Sequence, residues 1–197
     1  MFNTKQTKAG MKSIFIGCLA SSLMLMSCGS STEPAAAEGT ATEAAAPTTD
    51  VHYAVADLVD LDLTDHGIAV ITKAPKDAKV MKYEVNGNIC VYGGKFFKLT
   101  FSKMDGNADD TFNDIKSLVV DKELNPSFSG FEAEDKNSFL KKNTDGQLAF
   151  THALDAGGAA IIIQEGMPYD ISPDQFSDYA AEDVKIMYEA AKATKAK

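Results

Sequence analysis

Few residues in this chain have the chemistry to move a proton or attack an electrophile. Three histidines, His52, His66 and His152, are the only side chains with an ordinary pKa near neutrality. Cys90 is the one thiol outside the first thirty residues. His66 sits in Thr-Asp-His-Gly, a turn signal ahead of an apolar run, and His52 borders a low-complexity stretch. His152 keeps phase with Leu148, Phe150 and Leu154, which turns it inward or toward a sheet edge and gives it a structural reading. No Gly-x-Ser-x-Gly, His-Glu-x-x-His or phosphate-binding loop accompanies them. A nucleophile without a base, and a base without a nucleophile, argue against an enzyme. A hydrolase is the residual enzymatic class.

Asp105-Gly-Asn107-Ala-Asp109-Asp110 starts as a calcium loop would, with oxygen ligands at positions one, three and five. Position six is Asp110 where the sharp turn needs glycine, and position twelve is Lys116 where a bidentate glutamate belongs. The segment reads as a turn that caps a helix. No metal and no cofactor is expected. Cys90, inside Asn-Ile-Cys-Val-Tyr, has no second cysteine for a redox or metal pair and reads as a small buried hydrophobe.

Charge removes another class of function. The chain has 19 basic and 28 acidic residues, and every basic one is lysine. Nucleic-acid binding needs a concentrated positive surface, and planar recognition of phosphate favours arginine, so nucleic acid is excluded as a partner. Lys136, Lys141 and Lys142 make a local positive patch on an acidic protein and are the candidate surface for a protein partner.

These groups must be held by something, and the chain divides into three parts. Lys5, Lys8 and Lys12 precede a mostly apolar segment, residues 14–26, the layout of an export signal. The apolar run stops at Leu25-Met26-Ser27-Cys28, which resembles the lipobox of bacterial lipoproteins. That resemblance implies cleavage before Cys28 and acylation of its thiol, hence an anchor in the lipid bilayer and a place in the cell envelope. Gly29 after the cysteine points to the outer membrane by the enteric sorting rule. Removal of residues 1–27 takes three of the 19 lysines and no acid, leaving 16 basic against 28 acidic residues and a net charge of −12. Residues 28–51 contain almost nothing but Gly, Ser, Thr, Ala, Pro and Glu and cannot offset their ordering entropy. They read as a disordered tether with a span of about 25 Å.

Residues 52–197 form the folded part, one domain held by its hydrophobic core, because a single thiol permits no internal disulfide. Residues 67–73 read as a strand ended by Ala74-Pro75. Met81, Tyr83 and Val85 alternate with charged residues, Asn86-Gly87 is the preferred pair for a two-residue hairpin, and residues 89–92 return. Gly93-Gly94 turns the chain into residues 95–103. A helix is expected from Asp109 or Asp110 to Leu124, with Phe112, Ile115 and Val119 on its buried face. Strands follow at 127–132 and near Phe139, then a hairpin of 147–154 and 159–164 across Gly157-Gly158. Ala159 to Ile163 is apolar on both faces, so that strand is covered on both sides. A last helix starts at Ser172, with Pro173 and Gln175 in its first turn and Phe176, Ala180, Val184, Met187 and Ala191 as its stripe.

This order predicts an α+β fold, an antiparallel sheet flanked by helices. Together with the stretch Asp65-His-Gly-Ile-Ala-Val-Ile-Thr-Lys-Ala-Pro-Lys-Asp-Ala-Lys-Val80, it resembles the Mog1/PsbP-like α/β/α sandwich. Members of that fold mostly bind or assist other proteins, which implies a non-enzymatic binding or assembly accessory with an envelope partner. The alternative is a carrier of a small apolar ligand between sheet and helix, with Phe96, Tyr92 or Tyr188 as a wall.

Overall fold

A computed structural model of the chain describes residues 51–84, 86–166 and 179–197. The lipobox, the tether as far as Asp50 and the first turn expected for the last helix, with Phe176, lie outside the described residues. Ten strands and two helices follow in order: β1 Leu58–Asp62, β2 Val70–Pro75, β3 Lys79–Lys82, β4 Ile89–Gly93, β5 Phe97–Asp105, α1 Ala108–Val120, β6 Phe128–Glu134, β7 Ser138–Asn143, β8 Leu148–Ala156, β9 Ala159–Glu165, α2 Ala181–Lys192 and β10 Lys195–Ala196. The class is α+β. Seven strands make one antiparallel sheet in the order β3-β4-β5-β9-β8-β7-β6, and β1-β2-β10 form a second, smaller one.

The hairpin β8–β9 organises the large sheet. Ala156 pairs with Ala159, and Gly157 and Gly158 between them take φ of 64° and 81°. Two consecutive left-handed residues make the hairpin turn whose twist matches the strands, and glycine adopts it without steric cost. Register then follows from the pleat: Ile163 lies between His152 and Phe101, and Ile162 between Ala153 and Ser102. Ile161 and Ile163 join a core with Phe101, Phe150, Val184 and Met187, whereas Ala160 and Ile162 join a second with Phe112, Phe139 and Ala153. So α2 covers one face of β9 and α1 the other, the physical reason for a strand apolar on both sides. Val70 and Ala74 of the small sheet belong to the core on the α2 side.

Both helices differ in extent from the expectation: α2 begins at Ala181, after an extended and exposed Ala180 that was expected on its buried stripe. Helix α1 begins one residue earlier, because the Asn107 side chain accepts the Asp110 amide at 2.8 Å and Asp155 Oδ1 accepts the Ala108 amide at 2.8 Å. It ends at Val120, not Leu124. The Asp121 carboxylate takes the amides of Glu123 and Leu124, at 2.8 and 3.4 Å, and this local bonding replaces a further helical turn. Asn86-Gly87 does turn the chain, but through a wider loop than two residues. The β3–β4 ladder closes at Lys82 and Ile89, Tyr83 N donates to Asn88 O, and Gly87 N donates back to Tyr83 O, both at 2.8 Å. The Asn86 side chain accepts the Asn88 amide at 3.0 Å, a local bond that competes with a tighter turn. Among the described residues no helix is long and apolar enough to cross a membrane.

Candidate functional site

His152 stands on β8 directly opposite Ser138 of β7, and both are buried, at 6% and 1% exposure. The Ser138 hydroxyl lies 2.9 Å from the Tyr188 hydroxyl of α2 and donates to Asp135 Oδ2 at 3.3 Å. The Lys192 ammonium sits 4.6 Å from the centre of the Tyr188 ring. A serine, a histidine, a tyrosine and an aspartate thus share one corner, a set that invites a catalytic reading. The bonding argues otherwise. A nucleophilic serine needs an imidazole that accepts its proton, and Ser138 is bonded to Tyr188 and Asp135 instead. Burial pushes the imidazole down to about 4, helped by the Lys192 charge and opposed by Asp135. Its Nδ1 is buried without a hydrogen bond. His152 is therefore a neutral core residue, turned inward, one of the two placements its phase allowed, with its Nδ1 left unsatisfied. Such an orphaned atom costs of order 1–3 kcal/mol.

Cys90 occupies the opposite face of the sheet and is 0% exposed. Its sulfur lies 3.3 Å from Thr100 Oγ1, and the Thr100 hydroxyl donates to Gly166 O. Burial pushes the thiol up, against the opposing effects of Thr100 and Tyr92. A protonated thiol in a closed space is a poor nucleophile. Nearby, the Tyr83 and Tyr92 hydroxyls share a hydrogen bond of 2.7 Å, and Lys98 lies 5.1 Å from the centre of the Tyr92 ring.

Two acidic residues escaped sequence reasoning. Glu165 closes β9, where its Oε2 accepts the Phe150 amide at 2.8 Å. Burial pushes its carboxyl up to about 7, opposed by hydrogen bonds from Phe150 and its own backbone and by Lys141. The only sequence signal was a carboxylate that ends an apolar strand in phase with Ile161 and Ile163. Asp183, in the first turn of α2, has a side chain 4% exposed. Its Oδ1 lies 2.8 Å from His52 Nδ1, and the His52 ring stacks on Phe96 at 4.2 Å and 7°. The His52 side chain is 62% exposed, yet it is tied down. The pairing spans 131 positions, beyond the reach of any local pattern. His66 is half-buried in a 3-10 turn over Thr64–His66.

The three lysines do not gather into one patch. Lys136, in the turn before β7, pairs with Asp109 at 2.8 Å. Lys141 and Lys142 lie near the other end of β7, and consecutive strand residues point to opposite faces. Lys142 is exposed, whereas burial lowers the pKa of Lys141 against the opposing charge of Glu165. Asp109 pairs with Lys136, while Asn107 caps α1 and its side-chain amide donates to Asp110 Oδ2 at 2.6 Å. No group of three metal-ligating side chains occurs among the described residues. Compared with known protein families, curated proteins and solved structures, the chain has no match.

Proposed function

We propose that the chain is an exported lipoprotein, acylated at Cys28, whose body over residues 52–197 is a non-enzymatic binding or assembly accessory for a protein of the cell envelope. On this reading it sits on the outer membrane, anchored to the bilayer through Cys28. The body is a Mog1/PsbP-like α/β/α sandwich, a proposal supported by helices on both faces of an antiparallel sheet. One observation carries the functional part: among the described residues, the corner that invites a catalytic reading and the Cys90 thiol are sealed. Cys90 and Ser138 are within 1% of complete burial, and His152 is held neutral. What remains for function is surface contact.

The carrier alternative is less well supported. Its three candidate walls do not line one space. Tyr92 shares the Cys90 face of β4, Tyr188 lies on α2 against the other face with its hydroxyl on Ser138, and Phe96 is covered by His52. The test compares phenotype with thermal stability. His66→Ala, His152→Ala and Cys90→Ala should each keep the biological activity once stability is accounted for. Loss of activity in a stably folded His152→Ala protein refutes the accessory reading and restores an enzyme.

A further inference from the structure

Sheet edges are hazards, and three of the four edges among the described residues carry a recognisable block. Strand β3 is four residues long with exposed Lys79 and Lys82 at its ends. Strand β6 has register shifts between Phe128 and Gly130 and between Phe131 and Ala133. Strand β10 is two residues long. Strand β1 has no bulge and no lysine, and its charges are the carboxylates of Asp60 and Asp62, which guard the edge against acidic strands and leave it open to basic ones. It pairs with β2 in five unbroken steps, Leu58 opposite Pro75 through Asp62 opposite Ile71, and contains no proline, glycine or lysine.

The ladder shows which of its groups point outward. Leu63 N donates to Val70 O at 3.0 Å, so that pair is hydrogen-bonded. Bonded and non-bonded pairs alternate in an antiparallel ladder. Leu61 with Thr72 and Val59 with Ala74 are therefore bonded, and the amides and carbonyls of Asp60 and Asp62 point away from β2. Side chains along this rim have a definite chemistry. Val59 lies on the core-facing side yet is 43% exposed, and Val55 and Val51, at 53% and 42%, continue the apolar exposure upstream. On the other side stand the Asp60 and Asp62 carboxylates, 70% and 46% exposed, with Asp57 close by. Their lysine partners lie away from the rim, Lys73 on β2 and Lys197 after β10.

We propose that β1 is a docking edge that accepts an extended segment of a partner protein as an added strand, with apolar side chains alternating with basic ones. The main chain of that segment bonds to the outward groups of Asp60 and Asp62. Its apolar side chains lie against Val59, and its lysines or arginines lie beside the two carboxylates. The inference rests on the accessory reading and names the surface it uses.

The test uses the full chain in detergent, a Lys-Val-Lys-Val-Lys peptide and a Glu-Val-Glu-Val-Glu control, with amide exchange read by NMR. The Asp60 and Asp62 amides should exchange fast in the free protein and slow at least tenfold with the lysine peptide only. Asp60→Pro removes an outward amide without touching a ladder bond and should abolish the protection still readable at Asp62. Asp60→Asn keeps the amide and should weaken protection without removing it. Unchanged exchange at 60 and 62 with both peptides, or equal protection in Asp60→Pro, overturns the proposal. Peptide-induced shifts confined to another surface overturn the edge but leave the accessory reading standing.

Discussion

Two displaced titrations in this domain, of buried His152 and half-buried Glu165, oppose each other, and separating them is the sharpest test of its electrostatics. His152 is neutral in the folded protein until about pH 4 but has an ordinary imidazole when unfolded, near 6.5. Between these values the unfolded chain holds the extra proton, so this group removes stability as pH falls from 6.5 to 4. Glu165 is protonated in the folded protein up to about pH 7 and ionises near 4.5 when unfolded. Here the folded chain holds the extra proton, and stability is lost as pH rises from 4.5 to 7. Each displacement corresponds to about 3 kcal/mol at its limit. Over pH 4.5 to 6.5 the two slopes have opposite sign and similar size, so together they contribute a nearly level profile. Single substitutions should unmask each one. His152→Gln should show stability that falls by about 3 kcal/mol from pH 4.5 to 7, relative to the parent, and Glu165→Gln should show a comparable rise. Glutamine keeps an oxygen for the Phe150 amide, so the second change tests charge more than bonding. Urea denaturation across this range reads the profiles, and subtraction of the parent removes the exposed carboxylates common to all three. If Glu165→Gln runs parallel to the parent, Glu165 is ionised in the folded state and the burial argument fails.

Cys28→Ser should move the protein from the membrane to the soluble fraction, and intact mass should show the unprocessed or unlipidated chain; an unmodified parent cut elsewhere refutes the lipobox. Phe112→Ala, at the centre of the core between α1 and the sheet, should cost about 3–5 kcal/mol by thermal or urea unfolding. Gly158→Ala, at φ 81°, should cost about 1 kcal/mol, because alanine must be held in a left-handed conformation. Lys141→Glu should destabilise the domain through the half-buried site beside Glu165, while Lys142→Glu at the neighbouring exposed position should change stability by less than about 0.5 kcal/mol. Equal effects at both positions refute the assignment of opposite faces.

Local chemistry was legible in the sequence. Gly157-Gly158 between apolar runs could hardly be anything but a tight hairpin, and a run of five apolar residues in β9 required cover on both faces. Phe112, Ile115 and Val119 marked the buried stripe of α1 through their helical spacing. The inward phase of His152 came from alternation along β8, and the sealed state of Cys90 from its place in a central hairpin. The α1 boundary was less legible because it depends on which neighbour satisfies the terminal amides. Asp155, 47 positions away, accepts the Ala108 amide.

What only the tertiary structure decided is who stands opposite whom. Three lysines close in sequence fall at two ends and on two faces of β7, because strand geometry separates neighbours that a charge count groups together. Asp183 reads as a charged residue in the body of the last helix until the fold starts that helix at Ala181 and lays His52 across it. Glu165 reads as an exposed strand end until β8 offers it an amide and burial lifts its pKa. Side-chain type and period act over a few residues and are written into the chain. Desolvation and pairing depend on segments that meet only after folding, so the ionisation of Glu165 and His152, like the open edge of β1, belongs to the assembled domain.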